Sequence, residues 1–167
     1  MLLPHEILHA LHARGRLEDL FIGKCDLEKF WASVRNTEWF KDHPVLQKDL
    51  KNAIPIGIHG DDAGVGKRSK ITALVFSSIL LRTSTWNSRF LSAVLPYCRI
   101  VPGTLTKLFE VMTWSLQACY AGIFPESDHL GQRWGEGKED KRRKLKSGTC
   151  IAGGKFFVVI DIRGDWK

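Results

Sequence analysis

The sequence predicts an α/β fold, with α+β as its variant: a mixed sheet of about four strands with helices on its faces, after a helical N-terminal stretch. Three observations predict it. Ile54 to Ile58 and Lys155 to Ile162 have strand character, the second strongly so. Ile71 to Leu81, apolar and rich in β-branched residues, lies between them. By contrast Leu105, Leu108, Phe109, Met112, Leu116, Cys119 and Tyr120 recur at helical spacing.

In chain order, Pro4 followed by Ile7, Leu8 and Leu11, with Gly15 as the stop, predicts a short helix. Asp26 can cap a second, carrying Leu27, Phe30, Trp31 and Val34 on one side. His43-Pro44 then breaks the chain into a loop. Ile54-Pro55-Ile56-Gly57-Ile58 alternates with period two and is expected to end in a polar turn at His59-Gly60-Asp61-Asp62. Gly64, Gly66, Lys67 and Arg68 prolong that turn. Ile71 to Leu81 reads as the second strand, although its length alone would also permit a helix, and Arg99-Ile100-Val101 is a weak third, closed by Pro102-Gly103. Thr104 is expected to cap the long helix, with Gly122 past its end. Residues 125–149 read as an exposed basic insert, a loop in form. The last strand runs into Arg163-Gly164-Asp165-Trp166-Lys167. The organisation predicted is a helical segment over 1–50 and a sheet domain over 51–167. A sheet strand followed at once by the chain end reads as a fragment.

The 167 residues carry 25 Lys and Arg against 18 Asp and Glu, a net charge of +7. That balance favours a polyanionic partner, nucleic acid before an anionic membrane surface. Cys25, Cys98, Cys119 and Cys150 lie far apart without a CxxC or CxxH pair. They argue against a structural zinc site and read as reduced, mostly buried thiols. The start lacks the basic and apolar regions of a signal peptide, and the longest apolar run is too short to span a bilayer. The expected setting is soluble and intracellular, with the nucleus compatible.

Two predicted strands end in Gly-Asp, at Gly60-Asp61 and Gly164-Asp165. A carboxylate at the end of a buried strand is rigidly placed, and a neighbouring Gly leaves room for a metal or a phosphate. One or two such carboxylates suit Mg²⁺ or Mn²⁺, and paired ions can activate a water or a 3′-hydroxyl against a phosphodiester. Taken alone, each Gly-Asp is more simply a turn after a strand; it is the pair, in this order, that points to a metal site.

The stretch from Ile54 to Leu80, with His-Gly-Asp after a strand, resembles the first-Asp region of Plavaka and KDZ-like DDE transposases. It is also similar to related multicopy proteins of dinoflagellate algae. Phe156 to Lys167, ending Arg-Gly-Asp-Trp-Lys, resembles the segment that supplies the second carboxylate there, and Phe30-Trp31 with His43-Pro44 resembles what precedes the first strand. The resemblance covers about half the chain. It implies a partial ribonuclease-H-like domain, DNA as partner, and Asp61 and Asp165 as catalytic, Mg²⁺-binding acids. Asp62 stands where the family usually has Gly and is a further candidate ligand. The family's third acid, a Glu on a later helix, has no counterpart in this sequence, so a chain of this extent is expected to be inactive in strand cleavage by itself.

Other constellations compete. His5-Glu6-Ile7-Leu8-His9 satisfies H-E-x-x-H, the pattern of a zinc metallopeptidase with two imidazole ligands and a carboxylate base. Gly60 to Arg68 has P-loop flavour, but the glycine spacing is one residue too long and Arg68 occupies the hydroxyl position. Lys141, Arg142, Arg143 and Lys144, with Lys67 and Arg68, are candidate nucleic-acid contacts, although Glu136, Glu139 and Asp140 dilute the field. The alternative to a transposase-derived protein is a non-catalytic nucleic-acid-binding module that uses this basic surface.

Overall fold

The structure, a computed structural model, describes residues 1–65, 69–81 and 89–164. Helix α1 (Pro4–Ala13) starts at its proline, whose missing N–H costs nothing in a first turn. Helix α2 (Leu27–Val34) is capped as expected by Asp26, whose carboxylate accepts from the Lys29 N–H at 3.2 Å. From it Trp31 projects into the core, stacks on Phe40 and donates its indole N–H to the Ala53 carbonyl at 2.9 Å. That bond ties the helical N-terminal stretch to the first residue of the sheet.

Four strands form one mixed sheet: β1 (Ala53–Val65), β2 (Ser69–Ser78), β3 (Arg89–Pro96) and β4 (Phe156–Gly164), in the order β3-β2-β1-β4. β1 and β2 are antiparallel, as are β2 and β3, whereas β4 runs parallel to β1. A parallel neighbour needs a crossover, and helix α3 (Thr104–Ala121) lies within it. The α/β class expected from the sequence is therefore the architecture observed.

Several boundaries differ from the sequence reading, each for a local reason. β1 does not stop at His59 but continues to Val65, because β2 pairs it residue by residue as far as Val65 opposite Ser69. Gly60-Asp61-Asp62 thus lies inside a ladder rather than in a turn. The third strand is Arg89–Pro96; Arg99 closes a 3-10 turn, and Ile100 and Val101 fall outside any strand. Strand β3 carries a bulge opposite Leu74/Val75, where the extra residue, Ser92, bonds Leu2. That irregularity breaks its alternation and hides it from a period-two reading.

Thr104 is the first residue of α3 rather than its cap. Gly103, left-handed at φ 87°, precedes it, and the Thr104 hydroxyl accepts from the Val101 N–H. Gly122 closes the helix as expected, left-handed at φ 79°. The basic run is no loop: Lys138–Lys146 forms helix α4, with Glu139 and Asp140 in its first turn and Arg143, Lys144 and Lys146 in its last. Charges so ordered complement the helix dipole at both ends. No residue of α4 is buried.

The core gathers around Phe21, which stacks on Phe76 and Phe90 from β2 and β3 and packs at a tilt against Phe157 from β4. Ile54, Ile56 and Ile58 of β1 and Met112 of α3 join it. Of the four cysteines only Cys119 is buried; Cys25, Cys98 and Cys150 are exposed, contrary to the expectation of mostly buried thiols. Among the described residues no helix is long and apolar enough to cross a membrane.

Candidate functional site

The face of the sheet opposite Ile54, Ile56 and Ile58 carries Gly57, His59 and Asp61, since side chains alternate along a strand. The pairing with β4 decides what stands beside them. From Ala53 to Ile56 the register follows Phe156 to Val159, but it then slips by one, so that Gly57 faces Asp161, His59 faces Arg163 and Gly60 faces Gly164. Ile160 is the extra residue of this bulge. Without the slip, Asp161 would lie opposite Ile58 and on its face, where a carboxylate would be buried. The bulge transfers Asp161 and Arg163 to the face of His59 and Asp61.

Asp61 is exposed, pairs in the ladder with Ala73, and makes no ion pair among the described residues. Asp62 alternates to the other side of the strand, where it accepts from the Thr72 hydroxyl at 2.6 Å. The two adjacent acids therefore do not share a side. Asp161 lies four residues from the Asp61 row, about 13 Å along the strands, and its carboxylate is engaged by Arg163 at 2.6 Å. It is not a second ligand for a cation held at Asp61. Asp165, Lys67 and Arg68, named as site residues from the sequence, lie outside the described residues, as does Trp166.

The donors fit a hard cation in kind: an exposed, unpaired carboxylate on a strand, approached from an open sheet face. Among the described residues no group of three His, Cys, Asp or Glu side chains lies close enough to hold a metal ion.

The H-E-x-x-H residues are put to structural use. His5 is buried, with Trp114 and Phe124 packed edge-on against its ring, and its Nδ1 lies 2.8 Å from the Ser115 hydroxyl. Burial, reinforced by the Arg143 charge, lowers its pKa to about 4. Glu6 lies 3.4 Å from both Arg142 and Arg143, and His9 bonds the Ile151 carbonyl through Nδ1 at 2.8 Å. A carboxylate paired with two guanidinium groups is a poor general base. The P-loop reading fails on backbone form, because Gly60 to Val65 is strand.

On α4, Lys141 and Lys144 both reach Glu136, at 3.3 and 3.6 Å, and Arg142 pairs with Glu139 at 3.0 Å. Arg143 also lies over the Trp134 ring. Trp134 is buried and donates its N–H to the Pro125 carbonyl, so its ring is committed to packing.

The sequence reading missed Asp161, Arg163, His59 and Arg89 as neighbours on one face. The only signal was the unbroken apolar run before Asp161, which does not reveal a bulge. Compared with family models, curated proteins and solved structures, the chain matches none.

Proposed function

We propose that this chain is a transposase-derived, DNA-associated protein in which Asp61 and Asp165 hold a divalent cation, Mg²⁺ or Mn²⁺. The observation that carries the reading is the parallel register of β1 and β4. It lays Gly60 against Gly164, so the residue after each glycine in the chain is an aspartate. Gly60 and Gly164, 104 residues apart in sequence, thereby lie side by side on neighbouring strands rather than in unrelated turns. When bound, such a cation supplies electrostatic stabilisation of a phosphodiester's developing charge. What the chain itself contributes is an exposed carboxylate fixed by a four-stranded sheet, with His59 and Arg163 on the same face to meet a phosphate. With no third acid identified, the function proposed is DNA association and cation binding.

Calorimetric titration with Mn²⁺ tests this. Binding to the unaltered protein, abolished in Asp61→Asn and in Asp165→Asn but kept in Asp62→Asn, is the expected result. Absence of any response to Mn²⁺ and Mg²⁺ would sink the proposal.

The module that binds nucleic acid through α4 alone has less support, since acidic partners neutralise much of its charge. The zinc peptidase has least, since Glu6 is tied to Arg142 and Arg143 and His5 is enclosed.

A further inference from the structure

Gly57 lies in the interior of β1, between two hydrogen-bonded neighbours and at the register slip against β4, yet neither its backbone angle nor a steric clash requires glycine there. Its backbone is not in the left-handed region. A Cβ built there would meet Asp161 Cβ at 3.6 Å, an ordinary van der Waals contact, and nothing nearer. Glycine in a strand interior costs stability relative to a residue with a side chain, and it commonly marks a place where something else approaches the backbone closely. Here it floors a trough of about 370 Å³ on the open face of the sheet.

The register defines the trough's walls. Arg89, Ser77, Gly57 and Asp161 form one row across all four strands, about 14 Å from end to end at the usual strand spacing. His59 and Arg163 form the next row towards Asp61. Ser77 is small and Gly57 has no side chain, so the middle of the row is low and its ends are high. Arg89 is exposed and makes no ion pair among the described residues. Arg163 is largely exposed while its Nε holds Asp161, which leaves its other guanidinium N–H groups for a second acceptor. The bulge at Ile160 brings Asp161 and Arg163 to this face, and bulges that re-aim side chains are common beside functional sites.

We infer that the Gly57 trough seats the sugar–phosphate backbone of a single nucleic-acid strand, its phosphate held by Arg89 and Arg163, beside the nucleotide presented to Asp61. This rests on the carboxylate reading for its direction, because Asp61 lies about 13 Å further along the same face. The trough is suited to backbone contact rather than base recognition: Arg89, the free N–H groups of Arg163 and the Ser77 hydroxyl face a phosphate and its sugar, while the Asp161 carboxylate in the same row is held by Arg163 Nε. Among the described residues no Phe, Tyr or Trp lines it, and His59 is its one ring, so it offers little stacking platform.

The test is fluorescence anisotropy of a labelled single-stranded oligonucleotide with the whole chain in EDTA, over a range of salt. Gly57→Val fills the trough with a residue that suits a strand and is expected to weaken binding about tenfold or more. Arg89→Ala, an exposed position that the fold does not need, is expected to reduce the slope of log K against log salt by about 0.7. An oligonucleotide of abasic sites is expected to bind like the parent. Unchanged affinity and slope in both variants, or loss of binding by the abasic strand, overturns the inference. The Mn²⁺ titration runs separately: if the ion fails to bind while both variants weaken oligonucleotide binding, the carboxylate reading falls and the trough stands.

Discussion

Burial against Trp114 and Phe124, with the Arg143 charge beside it, makes His5 a group that refuses a proton in the folded state. Its pKa falls from 6.5 to about 4. Above pH 6.5 the imidazole is neutral in both folded and unfolded chains, and the folded state keeps its full stability. As the pH drops from 6.5 towards 4, the unfolded chain takes up a proton that the folded one does not. Stability is therefore lost across that window, by up to about 3 kcal/mol, and the loss levels off below it. Urea unfolding of the unaltered protein and of His5→Gln at pH 7.5 and 4.5 checks this: the variant should lose less stability on acidification. An equal loss in both would mean that other groups carry the acid sensitivity. Ser115 is part of the same arrangement, fully buried and bonded to both the His5 ring and its backbone N–H. Ser115→Ala leaves those groups unmatched and should cost about 1–3 kcal/mol, read from the same urea curves.

Helix α4 docks on α1 through Glu6, whose carboxylate faces both Arg142 and Arg143, while Lys146 lies over the Phe124 ring. Because the residues involved are substantially solvated, the ion pairs contribute little to stability, and Glu6→Gln should change it by less than about 1 kcal/mol. Its effect on polyanion binding should be larger. Arg143 loses its acidic partner and Arg142 keeps only Glu139, so nonspecific binding to duplex DNA should tighten and its salt dependence should steepen. Anisotropy titrations at two salt concentrations would show this; an unaltered slope would mean that α4 takes no part in binding. The helix also shows what sequence reading underweights. Its composition is almost wholly polar, which suggests solvated loop, yet charge order along the run is helical in sense. At the other extreme, α3 was legible from Leu105 to Gly122 because its apolar stripe and its glycine stop agree.

Across the whole molecule, the residues before the sheet and those within it share one core. Phe21 comes from a turn ahead of α2, yet its ring partners belong to β2, β3 and β4. Phe21→Ala should accordingly cost about 3–5 kcal/mol. Tryptophan fluorescence and far-ultraviolet circular dichroism should still report one coincident transition. Two separated transitions would show that the stretch over 1–50 and the sheet unfold apart. The same global view accounts for what the sequence concealed. A strand reading assigns faces by strict alternation, and by that rule Asp161 belongs with Phe157 and Val159. The slip after Ile56/Val159 cancels the alternation and opens the polar face on which His59, Asp61, Asp161 and Arg163 meet.

By itself the sequence determined the α/β class, three helices with their Pro4, Asp26 and Gly122 boundaries, three of the four strands, and the pair of Gly-Asp steps, because periodicity and capping are local. Only the tertiary structure decided that β1 runs through Asp61 to Val65, that Arg89–Pro96 is the third strand, that β4 lies parallel beside β1, and that His5 and Glu6 serve packing and charge pairing. Those outcomes depend on partners distant in the chain. Strand pairing, a one-residue bulge and the burial of a histidine are set by what lies across the sheet or under the helix, which no local window of sequence contains.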